Sequence, residues 1–384
     1  MGQPVQGGRM LKTARTTVDQ YDVVSADGHV LEPEDLWTAR VPSSLKDRVP
    51  RVEWLEQGGA WVIEGAAEPI AFGFTQSAGR APEDMRDWLP KEDFNVAAWG
   101  DPEARLQIMD ADGVDGEVLF PNRPYQGVVG NTDAALHNVM VRAYNDWLAD
   151  FCSYAPARLG GVAAIPNRGL DEAVAEVERM ADKSGIVGYL LSCYPHGTTA
   201  IADEDDPVWA AVQATGKPLA IHIMLDDKLP YQLAANTLPG AGHFYDCPNR
   251  MLEIIFSGIL DRFPDLQVVF HEVDCGWIPY FVDQADDNYM RHLYASLRDS
   301  KLAHMPSEYV RERFSFSFIH DTYGITNRHR IGIDRMLWSN DYPHIASDWP
   351  FSWKTIKAQF ATVPHDERKA ILADNTLALY KMAK

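Results

Sequence analysis

The sequence predicts an α/β fold: a (β/α)8 barrel of the TIM type with an aromatic-rich insertion after its first strand. Three observations predict it. Short apolar stretches alternate with amphipathic helical stretches along the chain, the pattern of a parallel sheet covered on both faces. Eight such units can be counted, enough to close the sheet on itself. The polar residues that interrupt the apolar stretches fall at their C-terminal ends, where a closed barrel gathers its loops into one mouth. An open doubly wound sheet is the fold-level rival, but no Gly-rich phosphate loop follows the first strand.

Residues 1–19 are rich in Gly, Gln and Thr without periodicity and are expected to form a flexible arm or a subunit contact. Residues 20–384 are expected to form a single domain. Its first strand spans 21–25 and runs into Asp27-Gly28-His29. From about 42 to 100 the pattern is irregular, with Trp54, Trp61, Phe72, Phe74, Trp88 and Trp99 among Gly, Pro and charges. That is too aromatic for a disordered linker. A packed surface subdomain with a hairpin near 60–74 is one reading, and a lid over the mouth or a dimer contact is the other.

Beyond the insertion, helix 102–111 starts from Asp101 as N-cap with Pro102 at its first position. Strand 116–120, helix 132–152, strand 159–165, helix 170–183, strand 185–191, helix 206–215 and strand 218–224 follow, the last interrupted by His222. A loop containing Pro and Gly leads to helix 249–263, strand 266–270 and helical material at 277–294. Strand 314–319, a short helix, strand 336–339 and a final helix at 365–382 complete the chain.

The formal charge of −20 argues against nucleic acid or an anionic membrane as partner. No apolar run reaches membrane-spanning length, and the N-terminus lacks a signal-peptide core. Cys152, Cys193, Cys247 and Cys275 are scattered, so they are read as reduced thiols of a cytoplasmic protein.

Residues two apart in an extended chain project to one side, so Asp27 and His29 can grip one ion together. Both are ordinary ligands of a divalent metal. Glu32 follows three residues later, placed to serve a neighbouring ion or to orient the histidine. Other predicted strand ends supply His222, His271 with Glu272, His320 with Asp321, and Asp341 with His344. Singly, each has a bland reading: a histidine in an apolar strand is usually a satisfied core residue, and an Asp before Tyr-Pro usually a turn residue. Their convergence on one predicted mouth favours a metal site. Arg123 and Trp277 are candidates for the substrate pocket, against a surface ion pair and core packing respectively. Ser25, Ser192 and Cys193 lack the elbow a nucleophile needs.

Ser-Ala-Asp-Gly-His-Val-Leu-Glu-Pro at 25–33, the histidine of Ala-Ile-His-Ile at 220–223, Gly-Trp-Ile-Pro-Tyr at 276–280, and Trp-Ser-Asn-Asp-Tyr-Pro-His at 338–344 resemble the amidohydrolase superfamily. The branch is the amidohydrolase-related one, which also contains aminocarboxymuconate-semialdehyde decarboxylase and resorcylate-type decarboxylases. The resemblance covers residues 20–384 apart from the insertion. It implies a distorted barrel with one or two divalent metals at its mouth. It also implies Asp27, His29, His222 and Asp341 as metal ligands and His271 as a catalytic histidine. There are two departures: Asp-x-His stands where many members have His-x-His, and His-Glu-Val-Asp-Cys-Gly replaces a tighter His-Gly-Gly motif. The second departure leaves the alignment of His271 open by a residue or two. No lysine takes the bridging position, since strand four ends in Ser192-Cys193.

Two carboxylates and two imidazoles neutralise a divalent ion and leave positions open for water and substrate. The ion lowers the pKa of bound water to around 7 in favourable cases. Asp341 is then placed to take the water proton, and His271 to polarise a carbonyl or deliver a proton. The same site can hold a substrate carboxylate and phenol, with proton transfer to the ring and loss of CO2. The expected function is a zinc- or manganese-dependent hydrolase or non-oxidative decarboxylase of a small carboxylated or cyclic substrate. Glu32, His271, Glu272, His320 and His344 are either orienting groups or ligands of a second ion. In the second case the alternative is a dinuclear iron or mixed-metal oxygenase that hydroxylates a small substrate. A catalytically silent subunit of a hetero-oligomer is the non-enzyme alternative; a homo-oligomer is the expected assembly.

Overall fold

The computed structural model describes residues 14–18, 20–66, 68–223, 225, 241–292 and 302–382. Their strands are β1 (Val24–His29), β2 (Arg51–Leu55), β3 (Gly58–Val62), β4 (Ile70–Ala71), β5 (Gly116–Phe120), β6 (Leu159–Ala164), β7 (Ile186–Leu190), β8 (Leu219–His222), β9 (Val268–His271), β10 (Phe314–Phe318) and β11 (Met336–Trp338). Eight of them form a parallel sheet in the order β1-β5-β6-β7-β8-β9-β10-β11. The seam between β1 and β11 is joined by the residues that follow β11. Asn340 N–H donates to Ser25 Oγ (3.0 Å), Asp341 N–H to Asp27 O (3.0 Å), and His29 N–H to Tyr342 O (2.7 Å).

The reason for the barrel is legible in its strands. Every residue of β5, β7 and β10 is buried, as strands packed on both faces require. Even the serines of Phe-Ser-Phe-Ser-Phe in β10 are inside, and Ser317 Oγ accepts the Glu272 N–H at 2.9 Å. Helix Pro102–Asp112 begins as expected, with the Asp101 carboxylate accepting Glu103 N–H at 2.9 Å, and stops at Gly113, whose φ of 78° suits a glycine. Helix Ala134–Ser153 is capped likewise by Asp133 on Leu136 N–H (3.1 Å).

Several boundaries differ from the expectation. β1 lies three residues further along than 21–25, because it pairs with β5 from Val24 to His29. The hairpin expected near 60–74 is present as the antiparallel pair β3–β4, and β2 adds an unanticipated strand before it. The helix expected at 249–263 instead runs Ala241–Phe256, and Gly258, at φ 76°, separates it from a short helix Ile259–Arg262. Helices not anticipated include Pro306–Arg313, where Glu308 accepts the Met305 N–H at 2.7 Å, and Ser352–Gln359. Both are short, and short amphipathic runs carry little periodic signal.

The insertion is packed. Trp54, Phe72, Phe94 and Trp99 form one aromatic cluster with ring centroids 5.3–6.2 Å apart, and Trp37 meets Trp61 edge-on at 5.8 Å. It also reaches the mouth, where Ala78 N–H donates to Pro343 O at 3.0 Å. Of the N-terminal arm, residues 14–18 are tied down: Ala14 is buried, Arg15 pairs with Asp110 (2.9 Å), and Arg158 donates to Arg15 O (2.6 Å). The remainder of the expected arm, most of the loop after β8 and the end of helical segment 277–294 lie outside the described residues. The four cysteines are buried, with no disulfide among the described residues. No helix among those residues is long and apolar enough to cross a membrane.

Candidate metal centre

Three strand ends and one seam build the site. Because β1 extends to His29, Asp27 and His29 belong to the strand itself, and an irregularity in its pairing with β5 falls between Ser25 and Gly28. His222 ends β8 and His271 ends β9, side by side in register. Immediately beyond, Ile223 (φ 59°) and Glu272 (φ 56°) turn left-handed, and Asp341 does the same after β11 (φ 49°). Such backbone costs on the order of 1–3 kcal/mol per residue and gathers where function demands it. For a β-branched residue such as Ile223 it is a pronounced departure.

Six donors converge. His222 Nε2 lies 3.1 Å from Asp27 and 3.9 Å from Glu272. His29 Nε2 lies 3.6 Å from Asp27 and 3.3 Å from Asp341, whose carboxylate is 3.0 Å from His344 Nδ1. Asp27, His29, His222 and Glu272 form one group with ligand atoms within 4.8 Å of one another; His29, Glu272, Asp341 and His344 form a second. Asp27 and Asp341 are fully buried.

Burial alone would raise both of those carboxyls. For Asp27 the charge and hydrogen bond of His222, then His29, win and hold it below the usual range. For Asp341 the charge of His344 and contact with His29 do the same. Glu272 goes the other way: burial, then the charges of Asp341 and Asp27, push it well up. His344 is held down by burial against the pull of Asp341.

The donors fit a cation. His29 Nδ1 is 2.8 Å from the Pro121 carbonyl, an acceptor only, so the ring donates there and turns its Nε2 toward two carboxylates. That Nε2 has no hydrogen-bond partner, and neither oxygen of Asp341 meets a donor in hydrogen-bond geometry. Two fully buried carboxylates that share one histidine nitrogen repel each other unless positive charge lies between them. Either of the two donor groups could hold a cation, and His29 and Glu272 belong to both.

The other anticipated residues fall elsewhere. His271 is fully buried one ring deeper, with Nε2 2.6 Å from the Tyr380 hydroxyl and its ring 4.5 Å from Phe120, and burial lowers it to about 3. It joins neither donor group. Glu32 and His320, read from the sequence as orienting groups or ligands of a second ion, join neither donor group: Glu32 accepts the Asn122 N–H at 2.8 Å, and His320 is exposed. Half-buried Trp277 sets its indole N–H on Val273 O (2.9 Å) and its ring against Phe281 and Phe316. Arg123 reaches the Ala71 carbonyl at 3.5 Å. Sequence reasoning missed Tyr380 altogether. It also missed Glu117, although a lone carboxylate inside the apolar strand 116–120 signals a buried cation nearby.

Glu32 makes a stability prediction. Burial raises its carboxyl from 4.5 to about 8. Between those values the folded chain keeps a proton that the unfolded chain has lost. The stability it contributes is thus full below about 4.5 and is lost as pH rises through about 8. Glu32→Gln should therefore raise the melting temperature by a few degrees at pH 8 and leave it unchanged at pH 4. Equal shifts at both pH values would show that Glu32 titrates normally.

The amidohydrolase family model matches residues 72–382. The gamma-resorcylate decarboxylase of Polaromonas sp. is 25% identical over 339 residues, covering 80% of this chain and 94% of that protein. An amidohydrolase from Mycobacterium avium subsp. paratuberculosis K-10 superposes with a TM-score of 0.72 at 18% identity, covering 94% of this chain and 98% of its own. A dihydroxybenzoic acid decarboxylase from Polaromonas sp., solved with bound manganese and the inhibitor 2-nitroresorcinol, gives 0.61 at 19% identity, covering 95% of this chain and 98% of its own. With the family model spanning most of the barrel, the chain belongs to the amidohydrolase family.

Proposed function

We propose that this protein is a metal-dependent non-oxidative decarboxylase of a small aromatic acid that carries a hydroxyl beside its carboxylate. The observation that carries the reading is His29 Nε2 set between the buried carboxylates of Asp27 and Asp341, a donor arrangement suited to a divalent ion. Likeness to decarboxylases, one of them holding manganese, favours loss of CO2 over hydrolysis and manganese or zinc as the ion. The ion supplies a positive charge on which a carboxylate and an adjacent phenolate can be held.

The chain's own residues do the rest. His29 is oriented by its Nδ1 on Pro121 O, and Asp27 by His222 on its carboxylate and the Ser25 hydroxyl on its backbone carbonyl. Asp341, held ionised, takes the proton of the substrate hydroxyl and passes it to the ring carbon that bears the carboxylate, with His344 Nδ1 at 3.0 Å to orient it. That carbon forms a C–H bond as its bond to the carboxylate breaks, the C–C electron pair returns to the ring, and CO2 departs.

The test is incubation of the manganese-loaded chain with 2,6-dihydroxybenzoate and related hydroxybenzoates in D2O. The expected result is CO2 release matched by one deuterium on the product ring. Cleavage of esters or amides in the same assay, without CO2, would make it a hydrolase. Firm metal binding without any turnover would favour the silent-subunit alternative.

A further inference from the structure

We propose that Arg105 is a positioning residue of the metal centre, holding together the two strand ends that carry His29 and Asp341, an inference that rests on the metal-centre reading above. Arg105 lies on helix Pro102–Asp112, and its side chain is almost fully buried at the β1–β11 seam. Nη1 donates to the carbonyl of His29 at 2.8 Å, and Nη2 donates to the carbonyl of Tyr342, the residue after Asp341, at 3.4 Å. Nε donates to Glu117 at 2.6 Å, and the guanidinium lies 4.7 Å from the Tyr342 ring centroid. One planar cation thus ties β5, the end of β1 and the end of β11 to a single point. Only a guanidinium offers several donors in one rigid plane; an ammonium is a point charge on a flexible stem.

Stability alone does not account for the arrangement. Glu117 is as buried as its partner, and a buried ion pair can usually be replaced by apolar residues at little cost. What apolar residues cannot do is bind two carbonyls that belong to different strands. Apart from Arg105, the seam is held by the three hydrogen bonds from Asn340, Asp341 and His29. No strand ladder joins β1 to β11, and Tyr342 O, which takes the Arg105 contact, also accepts the His29 N–H at 2.7 Å. Gly28 conforms to the same device. A Cβ there would lie 2.8 Å from Arg105 Nη2, on a side chain already pinned by its three acceptors. The glycine of Asp-Gly-His therefore makes room for the cation between the two ligands.

The test compares the full chain with Arg105→Lys and with the double variant R105L/E117L, which removes both charges together so that neither is left buried alone. Each is titrated with Mn2+ and followed by electron paramagnetic resonance, and each is melted without metal. The double variant is expected to melt within a few degrees of the parent, yet to bind Mn2+ about 10- to 100-fold more weakly, the usual cost of losing a group that orients ligands. Its bound-Mn2+ spectrum should also be altered. Lysine, able to reach one carbonyl but not both, should fall between. Unchanged Mn2+ affinity and spectrum in both variants would overturn the proposal. If the double variant does not fold, Arg105→Lys decides alone: parent-like affinity and spectrum overturn the proposal, and weakened binding at an unchanged melting temperature supports it. A parent chain that takes up no Mn2+ would overturn the centre itself, a result distinguishable from failure of the positioning role.

Discussion

Replacing Asp341 with Asn should lower turnover by about two to four orders of magnitude, the range typical of removing a positioned acid–base group. The substitution keeps the shape of the side chain and removes its charge. Burial opposes the ionised form of Asp341, yet His344 and His29 hold it ionised, so the site is built around that anion. An amide there presents an N–H₂ or a neutral oxygen, neither of which carries a proton to a ring carbon. The fold should survive, because the buried side chain meets no donor in hydrogen-bond geometry that the change would orphan. The measurement is kcat of the manganese-loaded variant beside the melting temperature of the metal-free one. Turnover within tenfold of the parent would remove Asp341 from the chemistry.

Stripping the metal should abolish turnover and lower the melting temperature by several degrees, with both restored by Mn2+. Asp27, Asp341 and Glu272 bring three carboxyl groups into one small buried volume, which their histidines only partly neutralise. An ion that binds the folded chain alone stabilises it by about 4 kcal/mol at a thousandfold excess of free ion over Kd. Differential scanning of chelated and reconstituted protein checks the stability half, and CO2 release checks the other. A chelated chain that melts at the same temperature, and higher Mn2+ that changes nothing, would show that the donors need no ion.

Much of the barrel was readable in the chain because its strands are buried on both faces and read as unbroken apolar runs. The stretch Ile186–Leu190 and the cap at Asp101-Pro102 are plain examples. The three short strands of the insertion were blurred because β2 is only half-buried throughout, so neither alternation nor a continuous run stands out. The same holds for the site. Asp27 and His29 were legible as a pair because two-residue spacing puts them on one side of an extended strand, and His222 and Asp341 because polar residues at the ends of apolar strands are conspicuous.

Only the tertiary structure decided which of the surplus groups join them. Glu272 and Ile223 leave their strands through left-handed backbone, and that turn, invisible in composition, brings Glu272 beside His222 while His271 stays one ring deeper against Tyr380. Glu32 stands three residues past His29 yet faces the Asn122 backbone, and His320 ends at the surface. The sequence by itself determined the chain's class, the order of its strands and the donors at their ends, because burial and alternation are local properties of the chain. Which donors share one volume depended on strand register, on backbone turns and on the Arg105 contacts across the seam, all set by residues far apart in the sequence.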